Sequence, residues 1–263
     1  MKFITSLALA ILMIGCQHGP TRNPSSAKLD SISKQHALLV THATTAFDRN
    51  KMAAAGIDQL VHEFKAKGLP VVYLMNDQSE SGRAAWYTTD RNPDLEVFSE
   101  GGEHNLPISG NEVTIAGGFF GSTDTLNGCH ALTVKDAIRM HFEVSAERFT
   151  IHIPIQATYF YDEWLSYRET FIKTGRFDPS TIGISKYPFA SLFFLREGND
   201  GSGDDSNEQF FAHSYFGQEN KTYRPGEEVS REKYQFRFYL NGQLIESVEG
   251  SGKRIVDIKM ETK

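Results

Sequence analysis

The sequence predicts an α/β protein: a mostly parallel open sheet flanked by helices, with a β-rich C-terminal extension or small β-domain. Three observations carry this. Ala37-Leu38-Leu39-Val40 and the run from Pro70 to Met75 are continuous apolar stretches, as expected of strands covered on both faces. Between them Ile57, Leu60, Val61 and Phe64 repeat at i, i+3, i+4 and i+7, one face of a helix. Strand, helix, strand at this spacing is a βαβ unit, whose crossover makes its strands parallel. Beyond Tyr187 the helical spacing disappears and short alternating runs take over.

The elements follow in order. His36 to Val40 opens the first strand. Asn50 is a candidate N-cap for the helix through Phe64, and Gly68 stands where a left-handed C-terminal residue belongs. Asn76 to Asn92 is polar, contains Trp86-Tyr87, and reads as a loop over a sheet end. Leu95 to Phe98 is a short third strand, and Glu112 to Ala116 a fourth, followed by Gly117-Gly118. From Asn127 to Phe142 the register of Ala131, Val134, Ile138 and Phe142 predicts a helix, with Asn127 or Thr125 as its cap. Phe149 to Ile155 is a fifth strand. Trp164, Leu165, Phe171 and Ile172 mark a helix that Gly175 ends. Later strands are Phe189 to Leu195, Gln209 to Phe216, Tyr234 to Leu240, Gln243 to Val248 and Arg254 to Met260. Asn241-Gly242 is a two-residue hairpin signal. The organisation expected is a leader over 1–15, a tether over 16–35, an α/β domain over 36–187 and a β-rich region over 188–263.

Composition bounds the function. Of 263 residues 40% are hydrophobic and 23% charged, so the chain has a core and is neither disordered nor fibrous. The net charge of −6 gives no general attraction to phosphate backbones, which argues against a nucleic-acid partner. Two cysteines exclude a disulfide scaffold. No His-Glu-x-x-His or paired-Cys motif is present, and Cys129-His130 diverge by about 100° on a helix, so no metal site and no cofactor are expected. Asn199 to Asp205 is acidic but lacks the ligand spacing of a calcium loop and reads as solvated. Trp86-Tyr87 and Tyr159-Phe160-Tyr161 suit a pocket lining, although aromatic residues are more often core.

The N-terminus carries the strongest motif. Lys2 is followed by an uncharged run from Phe3 to Ile14, shorter than the ~20 residues of a membrane span and matched to a signal-peptide core. It ends in Met13-Ile14-Gly15-Cys16, which resembles the lipobox of bacterial lipoproteins, with Met13 where Leu is usual. The resemblance implies cleavage before Cys16 and acylation at that residue, hence a membrane partner through a lipid anchor. Gln17 in place of Asp favours the outer membrane by enterobacterial sorting rules. An ordinary signal peptide with a coincidental cysteine is the competing reading. Gln17 to Lys34 is polar with few apolar residues and reads as a flexible tether.

Inside the folded part, Cys129-His130-Ala131-Leu132-Thr133-Val134-Lys135-Asp136-Ala137 follows a Cys-x-x-x-Thr-x-x-Asp-Ala helix. With Ala37 to Val40 and Gly68-Leu69-Pro70-Val71-Val72, it resembles the isochorismatase-like hydrolases over about residues 36–175. The resemblance implies a parallel α/β fold with a cysteine nucleophile at a helix start, an Asp ending the first strand and a Lys after the third. Here His42 holds the Asp position, and Ser99 to His104 contains no Lys. Candidate catalytic residues are therefore Cys129, His42, Glu103 and His104. A helix N-terminus stabilises an anion, and a Cys–His pair is one way to activate a thiol. A buried cysteine acting as a small hydrophobe is the plainer alternative for Cys129. Three function classes stay open: a binding or interaction module derived from such hydrolases, a cysteine-dependent hydrolase with a rearranged site, and an assembly or structural lipoprotein of the envelope. Its partner would be a small ligand or another envelope protein.

Overall fold

A computed structural model describes residues 26–44, 52–75, 88–98, 104–120, 129–145, 148–160, 165–176, 189, 234–248 and 253–262. Cys16, Glu103, Asn50, the Asn127 and Thr125 caps, Trp86-Tyr87, the Asn199 to Asp205 run, the strand expected over 209–216, and residues 190–195 of the strand expected over Phe189 to Leu195 lie outside them; Phe189 itself, expected to open that strand, is helical.

The described chain is an α/β sheet protein. Helix α1 spans Ser26–Lys34, β1 Ala37–Thr41, α2 Ala54–Ala66, β2 Val71–Met75, β3 Leu95–Phe98 and β4 Glu112–Gly117. A short β5 (Phe119–Phe120) precedes α3 (Cys129–Val144), and β6 (Phe149–Pro154) leads through a 3₁₀ turn to β7 (Tyr159–Phe160) and α4 (Leu165–Thr174). Strands β8 (Tyr234–Leu240), β9 (Gln243–Val248) and β10 (Arg254–Glu261) complete it. Eight strands form one sheet in the order β3-β2-β1-β4-β6-β10-β8-β9; β5 pairs with β7 separately. All pairings in the large sheet are parallel except β8 with β9.

Alternation along the strands divides the core into two layers. Leu38, Val40, Val71, Tyr73 and Met75 pack against Ile57, Val61 and Phe64 of α2. Leu39, Val72, Leu74, Val113, Ile115 and Ile151 face the other way, against Val134, Ile138 and Phe142 of α3 and Ile32 of α1. Both β1 and β2 are buried throughout, which is why they read as unbroken apolar runs.

The structure corrects two local expectations. Residues 26–34, within the expected tether, form α1 and dock through Ile32, with Leu29 packed beside it. The i, i+3 spacing of those two side chains suffices for a narrow apolar stripe in an otherwise polar helix. Helix α2 begins at Ala54 with no side-chain cap bond, and its N-cap position falls on Ala53 and not on the expected Asn50. Strand β10 lies between β6 and β8 in the main sheet, so these strands are an extension of it. Asn241-Gly242 makes the β8–β9 turn with positive φ at both residues, as the right-handed twist of a hairpin requires.

Candidate functional site at the switch point of the sheet

The strand order reverses between β1 and β4: from β1 the chain winds through α2 to β2, and from β4 through α3 to β6 on the other side. In open parallel sheets the crevice outside the carboxyl ends of such a strand pair is the usual ligand site. Here those ends are Thr41-His42 and Gly117-Gly118, and α3 starts beside them at Cys129.

Close backbone packing brings these elements together. Gly117 has φ 69° and Gly118 φ 66°. A Cβ on Gly117 would lie 2.1 Å from the Thr41 carbonyl oxygen, and one on Gly118 would lie 2.9 Å from the His130 amide nitrogen. Only glycine permits both the left-handed turn and that approach. The Thr41 hydroxyl lies 2.8 Å from Thr133 Oγ1, and the Thr133 hydroxyl donates to the Cys129 carbonyl at 2.9 Å. With the Thr133 proton engaged on that carbonyl, Thr41 is the donor to Thr133. The end of β1 is thereby tied to the first turn of α3.

Cys129 is the first residue of α3 and is partly exposed. Its Sγ accepts the Phe119 amide N–H at 3.1 Å. His130, fully buried, points elsewhere: its Nδ1 lies 2.7 Å from the Gly117 carbonyl oxygen. A carbonyl only accepts, so Nδ1 carries the proton and Nε2 keeps a lone pair, which is buried without a hydrogen-bond partner. Burial pushes the His130 pKa down to about 4, against the opposing pull of the Gly117 bond. The imidazole is neutral near pH 7 and offers a buried acceptor rather than a cation.

The other candidate residues are placed as follows. His42 follows β1 directly, is buried, adopts φ 53° and donates its amide N–H to the Leu74 carbonyl at 2.7 Å. It therefore sits at the switch point, on the element that Thr41 ties to α3. His104 lies on the flank of α3. Its amide and that of Asn105 both donate to Asp136 Oδ2 at 2.8 Å. Its Nδ1 accepts the Leu106 amide at 3.0 Å and lies 3.1 Å from Asp136 Oδ2. Burial pushes its pKa down to about 4, although Asp136 pulls the other way. We read it as neutral, since Nδ1 already accepts an amide. Asp136 is seven residues along α3 from Cys129, about 10 Å of helix rise. His104 and Asp136, with Arg139 paired to the same carboxylate, thus anchor the 104–110 segment against the helix. The Asp of the Cys-x-x-x-Thr-x-x-Asp-Ala pattern is an anchor for this loop, and its Thr joins α3 to β1.

Sequence reasoning missed the Phe119 amide, the Thr41–Thr133 link and His130. Only the double glycine hinted at them, since two adjacent glycines after a strand announce a close backbone approach. Set against known proteins, the chain matches no family model, no curated protein and no solved structure. Among the described residues no helix is long and apolar enough to cross a membrane.

Proposed function

We propose that this protein is a lipid-anchored envelope lipoprotein whose α/β body is a binding module, taking a small ligand at the carboxyl edge between β1 and β4. The observation that carries the reading is the environment of Cys129. Cys129 is partly exposed as a residue and its sulfur is already engaged by a backbone N–H, while the neighbouring His130 donates its one imidazole proton to a backbone carbonyl. Thiol hydrolysis needs a base on the thiol and charge stabilisation at the reacting carbonyl, each worth ~10²-fold or more. His42 stands where the resembled hydrolases hold a carboxylate, so the thiol's surroundings lack that carboxylate. Several acyl chains on Cys16 would make a stable anchor, each buried CH₂ contributing ~0.8 kcal/mol.

The test is a screen of amide and ester substrates with wild type and Cys129→Ala, beside thiol labelling of the folded protein. Binding without turnover is expected, with turnover equal in both proteins and at the level of buffer. Rapid labelling together with turnover that Cys129→Ala abolishes would sink the binding reading and establish a cysteine hydrolase. For the anchor, Cys16→Ser should move the protein from the membrane fraction to the soluble fraction.

A further inference from the structure

On the α2 side of the sheet, away from the switch point, two histidines and two glutamates meet. Ala37 pairs with Val113, and Thr114 with His152, so His36, just ahead of β1, comes beside Glu112 on β4 and His152 on β6. Glu112 and His152 project to the sheet face opposite Val113 and Ile151, and the His36 ring makes an edge contact with Phe64 of α2 at 5.2 Å. One ligand atom from each of His36, Glu112 and His152 lies within 4.8 Å of the others. We propose that these three residues form a binding site for one divalent transition-metal ion, zinc being the type case.

The hydrogen bonds around the three residues have the form such a site needs. Histidine ligands usually donate their second ring N–H to a carboxylate, carbonyl or similar group, which fixes the tautomer and aims the other lone pair at the metal. His152 Nδ1 lies 3.2 Å from Glu261 Oε1, at the end of β10. With its proton there, the bare position is Nε2, which is buried and has no hydrogen-bond partner. His36 Nε2 lies 2.8 Å from the Thr114 hydroxyl, and its Nδ1 lies 3.5 Å from Glu112 Oε2. With the proton of His36 on Nε2, its Nδ1 lone pair is turned to the same carboxylate. Two neutral imidazoles and one carboxylate suit zinc and its neighbours, whereas calcium and magnesium take oxygen sets. Metal–ligand bonds of about 2.1 Å put tetrahedral ligand atoms about 3.4 Å apart, so closure from 4.8 Å asks for small side-chain rotations. Glu112 is half exposed, and its freedom supplies that movement. Three protein ligands leave a fourth position open to solvent or a ligand.

The experiment uses the full chain without a histidine tag, freed of metal by chelator and titrated with Co²⁺ near neutral pH, then with Zn²⁺ in competition. One equivalent of Co²⁺ is expected, with the intense visible absorption of a tetrahedral nitrogen–oxygen site that Zn²⁺ abolishes. His36→Ala and His152→Ala should each weaken binding by ~100-fold, and Glu261→Gln, which loses only the orienting carboxylate, by ~10-fold. Glu112→Gln at a half-exposed position keeps the test decisive if a histidine variant fails to fold: the cobalt spectrum must weaken or shift. Absence of binding in wild type, or binding that survives both His152→Ala and Glu112→Gln unchanged, overturns the site.

Discussion

At Gly117 the backbone geometry sets the cost of a single methyl group. Its φ of 69° alone costs an L-residue about 1–2 kcal/mol, and the Thr41 carbonyl oxygen occupies the Cβ position. Gly68 has nearly the same φ, 67°, yet a Cβ added there would meet nothing within 4 Å. Gly68→Ala should therefore cost about 1 kcal/mol and Gly117→Ala at least ~3 kcal/mol in urea unfolding. Equal losses would show that β1 and β4 can separate at the switch point. The buried histidines make a second prediction at this scale. His104 and His130 are held near pKa 4, whereas in the unfolded chain they titrate near 6.5. Between these values the unfolded chain binds more protons. Their contribution is complete above about pH 6.5 and falls as the pH drops towards about 4, at up to about 1.4 kcal/mol per pH unit for each. Urea midpoints across that window should fall with acid, and His104→Gln combined with His130→Gln should flatten the slope relative to the wild-type chain. An unchanged slope would contradict their burial as neutral groups.

Among the elements, the junction of β6, β10 and β8 rests on Asp257. Its side chain is fully buried and paired with Arg237, at 2.7 Å from Nε, and with Arg148 just ahead of β6. The register sets Asp257 opposite Arg237, so the charge pair also pins β10 to β8. Removing both guanidiniums leaves a buried carboxylate alone. The Arg148→Met, Arg237→Met double variant should lose about 3–5 kcal/mol. Asp257→Asn should cost less, because Arg148 is half exposed and reaches water. If calorimetry ranks the two in the opposite order, the clamp is not what joins these strands. The same junction was only half legible beforehand. The alternation in Tyr234 to Leu240 and the Asn241-Gly242 turn identified β8 and β9 as a hairpin, because both signals are local. Nothing local states that β10 would insert between β8 and β6 rather than follow β9, since that pairing joins residues over a hundred positions apart.

For the whole molecule, that insertion decides where the chain can be cut. A division at about residue 187 separates β10 from β6 and removes Phe236, Phe238, Val256, Ile258 and Met260 from a shared core. Each such side chain contributes about 1.5–3 kcal/mol on burial, so five exceed much of a typical net stability of about 5–15 kcal/mol. A chain ending there should fail to show cooperative thermal unfolding, whereas the full chain should show it. A cooperative transition in the shortened chain would mean that the first 187 residues fold as a unit of their own.

The sequence by itself determined the fold class, the parallel βαβ core, the boundaries of most strands to within a residue or two, and the start of α3 near Cys129. Those follow from periodicity, apolar runs and glycine positions, all of which act over fewer than about 20 residues. Tertiary structure alone decided which surfaces those residues share. His104 is placed on Asp136 by a loop folding back over α3, and Cys129 meets the Phe119 amide because two left-handed glycines turn the chain. His36, Glu112 and His152 come together through the strand register among β1, β4 and β6. A side chain's chemistry is written locally, but its partners are set by pairing between strands distant in sequence, and no short-range pattern encodes that register.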